Sequence, residues 1–281
     1  MVERRRRRPR GQVGLLVWLS VAWLLLVVFL AVFAPYLPLP DPNRASPKNA
    51  LAPIFSDGHL LGTDPLGRDI LARLAAAARI SVIISMVSVG VGITIGGIIG
   101  TTVGYVRGWP ERVGVAVTNI LLSFPALILL LGVVAMVGRS LTALTSVIAF
   151  LAIPGYFRFA RARTLALSEE GFVDAARMIG ATRRSVVFRE LLPNVMNTLI
   201  TFGLLAVGGV IVAEGTLAFL GLSVPPPQAT WGGMIAEGKG VLDRTLHVAV
   251  VPSVVMFVTV LSLNLVGDLF RSRLDIKESR L

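Results

Sequence analysis

Hydrophobic positions in this 281-residue chain come in long unbroken blocks. Val13–Ala34 and Ile80–Val106 each lack any Asp, Glu, Lys or Arg. Both exceed the ~18–20 residues needed to cross hydrocarbon. Read end to end, the pattern gives six apolar blocks, near 13–34, 80–105, 114–137, 141–157, 195–219 and 247–270. Each predicts a helix, because a single span in lipid must satisfy its own backbone hydrogen bonds. The expected fold class is therefore all-α, a polytopic membrane protein with six transmembrane helices. The expected organisation is a basic tail at 1–12, a first transmembrane helix at 13–34 and a loop at 35–79. A five-helix core follows at 80–270, carrying a segment 164–193 between its spans, and 271–281 forms a second tail.

The polar stretches between the blocks carry their own signals. Pro35–Arg79 holds six early prolines, which forbid a continuous helix there. Gly221–Leu246 contains Pro225-Pro226-Pro227 and then Trp231-Gly232-Gly233, with Trp231 expected as an interfacial anchor. In Arg158–Pro193, the residues Phe172, Ala175, Ala176 and Ile179 share one helical face. Ser168 is the expected N-cap of that helix, with Glu169 and Glu170 at its positive start. Gly180 is the expected C′ residue, Thr182 the cap of a second helix toward Leu192, and Pro193 the entry to the next span. In the second block Gly92, Gly96, Gly100 and Gly104 recur at i+4. Such a smooth ladder suits close packing, either on the chain's own helices or on a second membrane subunit.

Composition sharpens this picture. Apolar residues make up 54% and charged residues 15%, against about 25% charged in ordinary soluble domains. The formal net charge of +11 does not point to nucleic acid, because the arginines flank apolar blocks instead of covering a soluble face. With the N-terminus inside, 19 of the 27 lysines and arginines fall in segments placed on the cytoplasmic side, which predicts both termini cytoplasmic. Arg4–Arg8 precedes the first block, but that block is too long for a signal-peptide core and lacks a small-residue cleavage site. It is expected to be a retained span. The absence of cysteine excludes disulfides and thiolate metal sites.

No G-x-x-x-x-G-K-[ST] occurs, so this chain is not expected to cradle nucleotide phosphates. His59 and His247 are the only histidines and lie in different loops, which argues against H-E-x-x-H metal chemistry. No catalytic, metal or cofactor site is expected. Glu214 is the most notable ionisable residue inside a span; it lies near the outer end of the fifth block and is expected to serve either structural pairing or substrate passage. Asp268 near Arg271 is expected to form an interfacial pair.

Several strings together carry a resemblance. Asp174-Ala175-Ala176, Gly180 and Leu192-Pro193 resemble the E-A-A, three residues, Gly, nine residues, I-x-L-P signature of ABC-importer permeases, with Asp for Glu and Glu190 at the usual Ile position. Leu61–Asp69 is similar to the L-G-T-D-x-x-G-R-D segment of peptide permeases. Phe219-Leu220-Gly221-Leu222 with Pro226-Pro227 and Trp231-Gly232, Phe124-Pro125, and Asn264–Asp268 match further segments in order, although Asn119 occupies a position often Asp. The chain thus resembles the C-type permease subunit of the dipeptide/oligopeptide/nickel family.

The resemblance implies a type I importer permease in a bacterial inner membrane that forms half of a pathway for di- or oligopeptides. Nickel chelates or glutathione are the alternatives within the family. From another class, an ion-coupled carrier or channel is the alternative. Implied partners are a homologous B-type permease, two cytoplasmic ATPase subunits holding the ATP and Mg, and an extracytoplasmic binding protein. Asp174, Ala175, Ala176, Gly180, Leu192 and Pro193 would couple to an ATPase, unless the segment is an amphipathic helix lying on the bilayer. Asp64, Arg68 and Asp69 would either support docking of the binding protein or form structural ion pairs.

Overall fold

The computed structural model describes residues 14–278, and side chains to 272. Predicted features in 1–13 and 279–281 lie outside the described residues. Nine helices account for most of what is described. They are α1 (Leu15–Phe33), α2 (Ile70–Val106), α3 (Trp109–Ser123), α4 (Ala126–Val137), α5 (Leu141–Leu167), α6 (Gly171–Met178), α7 (Arg183–Phe219), α8 (Trp231–Lys239) and α9 (His247–Glu278). No strand forms among the described residues beyond two isolated bridges.

Five helices are each long and apolar enough to cross a membrane. A sixth crossing exists if α3 and α4 count as one span, and there the chain departs from expectation. The block 114–137 is not one straight helix but a pair bent by 84° at Phe124-Pro125. A residue before proline is pushed out of the helical region, and Phe124 sits at φ −80°, ψ 134°. Proline then withholds the next donor.

Three boundaries also move. The loop expected at 35–79 ends at Asp69, because the Asp69 carboxylate accepts from Ala72 N (2.8 Å) and starts α2 ten residues early. The fourth span runs to Leu167 instead of 157. Pro193 does not separate two helices, for α7 continues through it from Arg183. A π-helical turn at Val186–Leu191 widens the backbone just before the proline, relieving the clash its ring makes with the preceding turn.

The glycine ladder closes the bundle from within. A β-carbon on Gly92 would meet the Tyr156 ring at 2.6 Å, on Gly96 the Ile153 carbonyl at 2.6 Å and on Gly100 the Phe157 carbonyl at 2.5 Å. The ladder therefore lies on this chain's own α5. A core of Ile70, Leu74, Val89, Leu199, Val207 and Trp231 joins α2, α7 and α8.

Candidate functional site

Two ends of the bundle concentrate polar chemistry. At one end lies the segment from Ser168 to Pro193. Ser168 is not the N-cap of α6. It ends α5 and its hydroxyl donates back to Thr164 O (2.6 Å), while Glu170 takes the N-cap position. Gly180 holds φ +86° at C′, with Gly180 N donating to Arg177 O (3.0 Å) and Ala181 N to Ala176 O (3.0 Å). This pairing closes the helix and lets the chain turn into α7.

The buried face of α6 is Val173 and Ala176, packed on Val186 and Leu191, with Ala181 and Tyr105 against them. The face predicted from Phe172, Ala175, Ala176 and Ile179 is thus split. Only Ala176 turns inward, while Phe172, Ala175, Met178 and Ile179 are exposed, Ile179 by 87%. Asp174 is exposed and pairs with Arg177 (3.2 Å). Arg177 also lies over the Tyr105 ring and donates to its hydroxyl. That hydrogen bond, together with Asp174, holds the Arg177 pKa above its ordinary value. Leu192 is half-buried and Pro193 exposed on α7.

At the other end, Asp64, Arg68 and Asp69 are all buried, which turns the choice between docking and structure toward structure. Arg68 pairs with Asp64 (2.5 Å) and Glu237 (2.8 Å); Arg73 pairs with Asp64 (3.4 Å) and Glu237 (3.0 Å). Asp69 caps α2 and binds His59 Nδ1 (2.8 Å). The network ties loop 37–69 and the start of α2 to α8. Trp231 adds a second tie. It is fully buried rather than an interfacial anchor, its indole N–H donating to Leu74 O and its backbone N–H to Ser81 Oγ. Arg73 and Glu237 were missed as members of this network. The readable signal for Arg73 was Asp69 ahead of a helix-forming run, whereas Glu237 lies on α8, 164 residues further along the chain, and left none.

Glu214 is 1% exposed. Its Oε1 accepts from Ser223 Oγ (2.6 Å) and Thr230 Oγ1 (2.8 Å), and no ion pair reaches it among the described residues. Thr230 Oγ1 also accepts from Gly233 N, capping α8 (2.9 Å). The carboxylate thereby holds the start of α8 to α7. Asp268 forms no ion pair with Arg271 among the described residues, and Arg271 lies over the Phe202 ring instead.

The third element is the α3–α4 corner. α3 begins near the α6 end, where Glu111 binds Arg161 (2.5 Å). α4 leads to the other end, where Arg139 donates to Gly221 O (2.8 Å). The bend between them, with Asn119, Ser123, Phe124 and Pro125, is exposed.

Comparison with known proteins gives these features a frame. The family described as binding-protein-dependent transport system inner membrane component matches residues 92–279. The chain is 35% identical over 255 residues to the glutathione transport system permease protein GsiD of Pectobacterium atrosepticum, covering 91% of this chain and 85% of that one. It is 33% identical over 258 residues to the protein of the same name in Escherichia coli, covering 92% and 85%. A solved structure of the MetNI methionine ABC transporter in inward-facing conformations superposes with a TM-score of 0.58 at 22% identity. It covers 71% of this chain and 95% of the matched one, and so shows the fold.

Proposed function

The chain belongs to the family of binding-protein-dependent transport system inner membrane components, and on that premise we propose that it forms half of the translocation pathway of an ATP-driven importer of short peptides, tripeptides of the glutathione kind among them. As a multi-pass permease subunit of an ABC importer it is not itself catalytic, and ATP hydrolysis belongs to partner subunits. The reading supplies a homologous B-type permease, two ATPase subunits and an extracytoplasmic binding protein as partners. It places both termini and α6 in the cytoplasm of a bacterial inner-membrane system. Family membership removes the reason for an ion-coupled carrier.

One observation carries the coupling role. α6 is pinned at its back by Val173 and Ala176 and presents Phe172, Ala175, Met178 and Ile179 as an exposed apolar face, Met178 and Ile179 almost fully open. Ala175 lets a partner surface approach closely, and the turn at Gly180 passes movement of α6 directly into α7. Closure of an ATPase dimer would then tilt α7 and its neighbours. The α3–α4 corner supports the pathway role. Backbone groups freed at a break are not tolerated against lipid, so this corner faces water or a second permease.

The test is uptake by the assembled complex in liposomes, using radiolabelled glutathione and a dipeptide with the binding protein present. ATP-dependent accumulation of either peptide supports the reading. Accumulation of neither, in a complex that hydrolyses ATP, overturns the peptide assignment.

A further inference from the structure

A cavity of about 650 Å³ opens where the chain leaves α1, against the first turns of α2, the start of α5 and Gln228. It lies within the ~300–1,000 Å³ range of small-molecule sites. Leu37, Leu39, Ile83 and Leu141 give it apolar walls. Ala72 and Ala76, one helical turn apart on α2, leave the space open.

Two charges line it, Arg79 and Asp41, and they are opposite. No ion pair joins them, and Arg79 has no hydrogen-bond or ion-pair partner among the described residues. Asp41 accepts only from the backbone of Asn43 through its side chain (2.9 Å). Both side chains are exposed, as are Arg44 and Lys48 of the same loop, whereas Arg68, Arg73 and Arg139 at this end are engaged. A cation and an anion that line one cavity without pairing with each other complement a solute carrying the opposite charges at its two ends.

We infer that this cavity is a binding site for a zwitterionic short peptide, with its terminal carboxylate on Arg79 and its ammonium group on Asp41. A guanidinium suits a carboxylate because it offers parallel donors in a planar fork. Peptides of two to three residues span at most ~7–11 Å, comparable to the ~11 Å width of a sphere of this volume. The inference rests on the importer reading, which turns this end of the bundle toward the side from which substrate arrives. It adds a peptide site on the permease itself, distinct from any site on a binding protein.

The experiment uses the assembled complex without the binding protein, in nanodiscs of phosphatidylcholine and phosphatidylglycerol. Binding of radiolabelled dialanine is compared with that of N-acetyl-dialanine amide, which carries neither charge. The expected result is that the blocked peptide binds at least tenfold more weakly. Arg79→Gln and Asp41→Asn should each weaken dialanine by tenfold or more. Ala76→Leu, which fills the cavity and leaves both charges in place, should abolish binding. Equal binding of free and blocked dialanine, or unchanged binding in the three variants, overturns the site, and ATP-dependent peptide uptake by the same complex would leave the importer reading standing. A complex that takes up no peptide and binds none overturns both. Phosphatidylethanolamine, supplied in separate nanodiscs and retained by wild type but not by Arg79→Gln, would overturn the peptide assignment in favour of a lipid headgroup if dialanine does not bind.

Discussion

Ala175 and Ala176 are neighbours in the chain yet differ in surroundings on α6: Ala176 is buried against the π-helical turn of α7, while Ala175 is exposed. Identical substitutions at the two positions should therefore behave differently. Ala176→Trp overpacks the α6–α7 contact and should cost about 1–3 kcal/mol. Ala175→Trp should leave stability unchanged within about 0.5 kcal/mol, as surface changes usually do. Thermal unfolding of the purified chain in detergent distinguishes them. Equal loss in both variants would show that α6 does not sit as described.

The contact of Gly96 with α5 makes a second prediction. A β-carbon there meets the Ile153 carbonyl at 2.6 Å and Phe157 N at 2.9 Å, both backbone atoms that cannot swing aside. Gly96→Ala should lower stability by roughly 1–3 kcal/mol, whereas Gly90→Ala, with nothing within 4 Å, should be neutral or slightly stabilising. Unfolding midpoints of the two variants measured side by side check this, and a neutral Gly96→Ala would contradict the helix contact.

Much of the helical layout was legible because hydrophobic block length reports spans directly. Gly180 was legible too, since a glycine after an apolar helical stripe is a C′ signal that local geometry alone enforces. What escaped was tertiary. Trp231 looks like a membrane-interface residue in sequence, but Ser81 and Leu74, some 150 residues away, draw it inside. The pair Arg73–Glu237 spans a comparable separation. The 84° bend was half legible, for Phe124-Pro125 marks a break but not its angle. The inward face of α6 depended on where α7 happens to lie, which the 3.6-residue period cannot tell.

Glu237 is the shared acceptor that links Arg68 and Arg73 to α8. Glu237→Ala leaves both arginines to Asp64 alone. Breaking a fully buried pair costs about 3–5 kcal/mol, and because Glu237 is a third exposed the expected loss is smaller, about 1–3 kcal/mol. Proteolysis should show faster cleavage in 221–246 of the variant. Unchanged cleavage and stability would mean that the Trp231 anchor alone holds α8.

Orientation follows from labelling. The chain has no cysteine, so any introduced one is unique. Asp243→Cys and Glu169→Cys place thiols at exposed positions at opposite ends. An impermeant maleimide should label Asp243→Cys in intact cells and Glu169→Cys only after permeabilisation. The reverse pattern would overturn the proposed cytoplasmic placement of α6.

Coupling itself is tested most directly by measuring peptide uptake and ATP hydrolysis together in liposomes containing the assembled complex with Ala175→Trp. The bulky side chain stands on the exposed face of α6 and leaves the bundle intact. The account predicts that uptake is lost while the membrane subunits stay folded, either because the ATPase subunits detach or because they hydrolyse ATP without moving peptide. Uptake at the wild-type rate, with ATPase subunits retained and hydrolysis unchanged, would contradict a force-transmitting role for α6.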